Sequence, residues 1–331
     1  MKWKWLLIPL AAAAVFAVFA LRDSAAPAPT WLLRYAENQP ADYPTTRSAE
    51  YFAGLVAERT GGDVKIVVYP DGVLGDENAV IRQMQFGGID LARVASAQLI
   101  DQVEGLSVLT LPYLYEDGSH MWKVLNSGIG DAFLEQLAGI DLVGLSWYDA
   151  GVRNFYTRRP IASLDDLRGM RIRVQEADYM SDVVRALGAV PVSAPYSEVY
   201  SSLSIGEVDG AENNWPSYEA EGHYRVAPYM LLDEHVRIPE VQLLSAVTAA
   251  ELPEEYIEII RECAKESARY ERQLWIEREQ EAQQRCMENG VAVTALTDAE
   301  RERFRAACRP IYDAYVGEYA DLIAQIQAMG A

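Results

Sequence analysis

Residues 64–94 read VKIVVYPDGVLGDENAVIRQMQFGGIDLARV, and this stretch decides the fold. Val64–Tyr69 is rich in β-branched residues and reads as a strand. Pro70-Asp71-Gly72 is a turn. Glu77–Phe86 has helical character and stops at Gly87-Gly88, after which Ile89–Val94 reads as another strand. A strand, a helix and a second strand make a βαβ unit, which predicts a mostly parallel sheet. The pattern extends upstream. Leu32–Ala36 reads as a strand. Ser48–Thr60 reads as a helix with Ala49, Phe52, Leu55 and Val56 on one face, ended by Gly61-Gly62.

A second alternation begins near Leu142. Strands are expected at Leu142–Tyr148, Asn154–Thr157, Met170–Gln175, Val190–Ser193 and Val208–Glu212. Helices are expected at Asp178–Leu187 and Tyr196–Ile205. From Pro253 to Asn289 the pattern is helical without a break, and its acidic start, Glu254-Glu255, suits a helix N-terminus. About 36 residues of helix would be roughly 54 Å long, more than one small domain needs. Further helices are expected at Asp298–Ala307 and Pro310–Met329. The fold class is therefore α/β with two domains and a long helix spanning both. The expected division is 30–150 plus 239–278 for domain I and 151–238 plus 279–331 for domain II, with crossovers near residues 150, 240 and 280.

The chain has 331 residues, half of them apolar, and a formal net charge of -20. Such a surface repels nucleic acid and anionic lipid, so neither is an expected partner. Lys2 and Lys4 precede an apolar run from Trp5 to Leu21, and small residues and prolines follow. Residues 1–28 read as a signal peptide or an uncleaved membrane anchor, which places the folded part outside the cytoplasm. Cys263, Cys286 and Cys308 are an odd set without metal-ligand spacing, so buried free thiols are expected, with one disulfide as the alternative. Three histidines exclude a histidine-rich metal site, and no cofactor loop appears.

An acidic protein that binds an anion needs arginines gathered in a cleft. The stretch Gly151–Asn214 supplies candidates. Strand alternation puts Arg171, Arg173 and Gln175 on one face, opposite Ile172 and Val174. That face is either simply solvated or an arginine fork that grips a carboxylate by two parallel hydrogen bonds. Arg153 precedes a strand, and Asn213-Asn214 ends one, where an amide can serve both a carboxylate and a hydroxyl.

Taken in order, these motifs resemble the solute-binding subunit of tripartite ATP-independent periplasmic (TRAP) transporters. They are Thr60-Gly61-Gly62, Leu74-Gly75-Asp76-Glu77, Gly88-Ile89-Asp90, Leu111-Pro112-Tyr113, Asp165–Val174, Leu187-Gly188-Ala189, Glu198-Val199-Tyr200 and Val208–Asn213. The resemblance implies a two-domain periplasmic-binding-protein-like receptor (type II-like) that closes around its ligand. It also implies that Arg173 holds a carboxylate, assisted by Arg153 and Asn213, and that the partners are membrane-embedded TRAP subunits. The stretches 39–44, 92–94, 212–218 and 234–240 are similar to the sugar-acid branch, whose ligands are hexuronates.

Around that clamp, several residues have two readings. Arg93 is either a second cation for the ligand or half of a salt bridge. Glu77 either reads ring hydroxyls or stabilises a helix N-terminus. His235 either bonds the ligand or is structural. Tyr196 and Trp215 either face a sugar ring or pack in the core. The competing functions are a receptor for a four-carbon dicarboxylate or other carboxylate, a sensing role, and an exported enzyme acting on acidic sugars. No nucleophile elbow or metal-binding pair supports the enzyme. A monomer is expected.

Overall fold

The computed structural model describes residues 28–315 and 317–330. The leader or anchor expected over residues 1–28 lies, but for Ala28, outside the described residues. Four strands open the chain: β1 (Trp31–Ala36), β2 (Val64–Tyr69), β3 (Leu91–Ala95) and β4 (Leu142–Tyr148). Five follow: β5 (Arg153–Thr157), β6 (Arg171–Val174), β7 (Val190–Ser193), β8 (Gly210–Asn213) and β9 (Tyr229–Val236). Then come β10 (Glu240–Ser245) and β11 (Ala292–Ala295). They form two sheets, ordered β2-β1-β3-β10-β4 and β11-β9-β5-β8-β6-β7.

The βαβ reading holds where it was made, because β1 pairs in parallel with both β2 and β3. The sheets are mostly parallel, as expected, with one reversed strand in each. β10 runs antiparallel between β3 and β4, and β5 runs antiparallel to β8 and β9. The physical reason is connection length. β10 returns from the second sheet through only Arg237–Pro239, without the crossover helix that a parallel βαβ unit requires. β9, β10 and β11 were not foreseen.

Helix Pro44–Arg59 buries Ala49, Phe52 and Val56 with Ile66 and Val68 of β2 in the first core. Helix Glu254–Glu288 is unbroken and contributes to both halves. Ile260, Cys263 and Ala264 belong to the first core, while Ala282 and Cys286 pack with Tyr156, Val208 and Met230 of the second. All three cysteines are buried and free. The single helix expected over Pro310–Met329 is divided into Arg309–Tyr315 and Ala320–Ala328. This segment touches elements from both sides: the Tyr312 hydroxyl donates to the Pro112 carbonyl (2.8 Å), and the Tyr315 hydroxyl to Asp182 (2.7 Å). Among the described residues no helix is long and apolar enough to cross a membrane.

The chain passes from β4 to β5 through Gly151, whose φ of 62° favours glycine. A Cβ there would lie 2.6 Å from Glu279 Oε1 and 3.0 Å from Trp275 Nε1 on the long helix. Asp149 holds this crossover by accepting from the Gly151 amide (2.8 Å) and from Trp122 Nε1 (2.7 Å).

Candidate functional site

A cleft of about 480 Å³ lies between the sheets. Arg153, Arg173, Gln175, Tyr196 and Asn213 line it from the second sheet, and Glu77 and Arg93 from the first. Seven of the eight expected site residues therefore come together.

Arg173 sits on β6, which pairs in parallel with both β7 and β8. Its side chain is 2% exposed. Nε and Nη2 both donate to the Ala194 carbonyl, at 2.9 and 2.6 Å. Among the described residues it forms no ion pair, and burial pushes its pKa down. Arginine stays charged under such pressure. A buried cation without a counter-ion at the wall of a cleft is a place for an anion. Arg171, two residues earlier, is exposed and pairs with Asp209 at 2.9 Å. The shared-face expectation therefore separates into one surface ion pair and one buried guanidinium.

Arg153 is already neutralised. Its Nε meets a carboxylate oxygen of Glu212, Nη2 donates to Glu212 Oε1 (2.9 Å), and Nη1 donates to Asn213 Oδ1 (3.0 Å). Burial works against the Arg153 charge, but Glu212 overrides it and raises the pKa. Burial likewise pushes the Glu212 carboxyl up, yet Arg153 holds it down at about 2. Asn213 Oδ1 also accepts from the Asn214 amide at 2.9 Å. With its oxygen committed twice, Asn213 has its amide nitrogen to offer the cleft.

His235 is a correction. It does not line the cleft and is fully buried. Nδ1 lies 2.7 Å from Asp233 Oδ2, the ring stacks on Phe155 at 4.6 Å, and Nε2 faces Glu212 at 3.6 Å. Burial opposes its charge, but Asp233 overrides that and raises the pKa to about 9. It backs the Glu212–Arg153 pair from behind. Trp215 is likewise in the core, edge-on to Tyr218.

On the opposite wall Arg93 takes the salt-bridge reading. It is 2% exposed and pairs with Glu37, with Glu240 (3.1 Å) and with Glu77 (3.4 Å). Glu77 is not the helix cap. Asp76 fills that role by accepting from the Ala79 amide at 2.7 Å. The Glu77 carboxylate instead accepts from the Ala95 amide at 2.9 Å. Burial raises the pKa of Glu77, and raises that of Glu240 to about 8.

Sequence reasoning gave no role to Glu37, Asn38, Gln98 or Glu240. A signal existed for the first two. They follow β1, and ligands gather at the carboxyl ends of parallel strands. Five polar atoms of cleft residues are buried without a hydrogen-bond partner: Oε1 of Gln39, Gln98 and Gln175, Oε2 of Glu240, which is ion-paired with Arg93, and the Tyr196 hydroxyl. Buried polar atoms normally find partners, so these are positions where ligand hydroxyls fit.

The buried acids also set a pH dependence. Glu240 is raised to about 8 and Glu279 to about 7, both chiefly by burial. Each keeps a proton in the folded chain that the unfolded chain releases near 4.5, so stability is full below that value and declines as pH rises through the folded pKa. His235, raised from 6.5 to about 9, contributes stability that is full below 6.5 and lost as pH rises through 9. Glu212 acts in the other sense, losing its contribution as pH falls from 4.5 through about 2. The thermal midpoint of the ligand-free protein is therefore expected to peak near about pH 5 and fall towards about pH 9. A midpoint that is flat or rising over that interval contradicts these assignments.

A family model described as bacterial extracellular solute-binding protein, family 7, matches residues 35–318. The chain belongs to this family. It is a solute receptor of the TRAP type, acting outside the cytoplasm. A solute-binding protein of Chromohalobacter salexigens is 37% identical over 284 residues, which are 86% of this chain and 84% of the relative. A TRAP periplasmic solute-binding protein from a Bradyrhizobium species, solved in complex with α/β-D-galacturonate, matches with a TM-score of 0.87. It is 37% identical and covers 89% of this chain and 99% of its own. Another, from Pseudomonas putida F1 with bound D-glucuronate, matches at 0.88 with 31% identity, covering 91% and 98%.

Proposed function

We propose that this TRAP receptor binds a hexuronate, glucuronate or galacturonate, with Arg173 holding the carboxylate. The observation that carries this reading is the buried Arg173 guanidinium, which lines the cleft without an ion-pair partner among the described residues. Arg153 and Asn213 complete the clamp, and Gln39, Gln98, Gln175 and Tyr196 take ring hydroxyls. The Bradyrhizobium and Pseudomonas putida relatives, which hold galacturonate and glucuronate, support the assignment. A four-carbon dicarboxylate fits less well, because Arg93 and Arg153 are already paired with Glu37, Glu77, Glu240 and Glu212.

In this reading the two sheets belong to two lobes, residues 30–150 plus 239–278 and residues 151–238 plus 279–331. The lobes close on the ligand about the crossover at Gly151 and the long helix. The ligand is released unchanged, since the cleft is used for capture rather than for a reaction.

Calorimetry with glucuronate, galacturonate and glucose tests the ligand class. Micromolar or tighter binding of a uronate is expected, with much weaker binding of glucose. Hydrogen bonds to a charged group contribute roughly 1.5–3 kcal/mol each. Equal affinity for glucose and glucuronate rules the reading out, and conversion of the uronate on long incubation rules out a pure receptor.

A further inference from the structure

The wall opposite Arg173 has an unusual charge balance. One guanidinium, Arg93, serves the carboxyls of Glu37, Glu77 and Glu240. The three acids reach it from separate elements: Glu37 directly follows β1, Glu77 begins helix Glu77–Gln85, and Glu240 begins β10. Arg93 and Glu37 are both 2% exposed, so water does little to screen them. Glu77 and Glu240 line the cleft directly.

We propose that the carboxyl cluster around Arg93 is a selectivity filter that admits six-carbon sugar acids bearing one carboxylate and rejects the corresponding diacids. This rests on the preceding reading, in which Arg173 takes the first carboxylate.

The chemistry of the two ends differs. At Arg173 a cation lacks an anion. At Arg93 the cation is already paired with Glu37 and Glu77, and Glu240 adds a third carboxyl that ionises as pH rises through about 8. A ring hydroxyl placed at the Arg93 wall donates to Glu77 or Glu240 and relieves that crowding. A second carboxylate placed there donates nothing and brings a further negative charge against groups held in a poorly solvated site. Like charges brought together at an interface weaken binding and reject the wrong partner. An independent feature points to hydroxyls in the same cleft. Gln98, 8% exposed, lines the cleft with an unpartnered Oε1. The filter works by charge, and the variants below separate charge from shape, because a uronate closes to a ring while its diacid, having no aldehyde, stays open.

The test is calorimetric titration of the full mature receptor with glucuronate and galacturonate against glucarate and galactarate. The wild-type protein is expected to prefer its uronate over the matching diacid by on the order of a hundredfold or more. At about pH 9, above the Glu240 value of about 8, Glu240→Gln removes one negative group while keeping a polar side chain. It is expected to shrink that preference at least about tenfold, mainly through tighter diacid binding. Glu77→Gln should shift it the same way, and the wild-type ratio stands even where a variant does not fold. Diacid binding within about threefold of uronate binding by the wild type overturns the filter and leaves the uronate assignment intact. So does an unchanged ratio in both variants. Failure of the wild type to bind either ligand class overturns the filter and the uronate reading together.

Discussion

Arg173→Ala is expected to lose uronate binding by about 3–5 kcal/mol, a weakening of about a hundredfold to several thousandfold in Kd. The side chain is buried, fixed by two hydrogen bonds to Ala194, and free of any protein anion among the described residues. Its charge is therefore available to the ligand in full. Arg173→Lys keeps the charge but loses the planar pair of donors, and should fall between wild type and alanine. A second consequence separates this residue from a structural one. Removing a cation whose burial is uncompensated should leave the ligand-free protein as stable as before, or more so. Arg171→Ala is the control. Its partner Asp209 is a surface ion pair, so the change should cost under about 1 kcal/mol and leave binding intact. Titration of all three variants, after circular dichroism confirms folding, decides the matter. Normal binding by Arg173→Ala together with loss in Arg171→Ala refutes the site.

Arg153→Ala should show the opposite balance. Glu212 is completely buried, and Arg153 contributes its main neutralising contacts. Without Arg153 the carboxylate keeps only His235, whose Nε2 stands 3.6 Å away. Removing one partner of a buried pair typically costs about 3–5 kcal/mol. Chemical denaturation of the ligand-free variant should therefore show a clear drop in midpoint, where Arg173→Ala shows none. Binding should also weaken, because the Asn213 oxygen loses the guanidinium that orients it. A denaturation midpoint equal to wild type means that Glu212 is stabilised by something other than Arg153.

The two variants differ although both remove a cleft arginine, and the difference lies in the surroundings. Arg93, Arg153 and Arg173 carry the same side chain in a cleft of one protein. Two of them hold carboxylates of the chain itself, and one has no ion-pair partner among the described residues. The same distinction applies to histidine. His235 was a candidate ligand group by position in the chain, but Asp233 and Phe155 enclose it behind the clamp.

Much of the fold was legible from local pattern. The β-branched run Val64–Tyr69, the glycine stops after each early helix and the unbroken period from Glu254 to Glu288 each depend on residues close in sequence, and each element formed nearly where expected. The arginine-bearing strand Arg171–Val174 was legible for the same reason. What the sequence by itself determined, then, was the set of elements, the order of the motifs and the chemistry available to the cleft. Which arginine remained free was decided only by tertiary structure. Arg93 finds Glu37 across 56 residues and Arg153 finds Glu212 across 59, while Arg171 finds Asp209 across 38 because β6 pairs with β8. Ion pairing depends on distance in space, and burial removes the water that would otherwise screen each charge. No local period carries that information, so the neutralised arginines and the free one look alike until the sheets bring their partners to them.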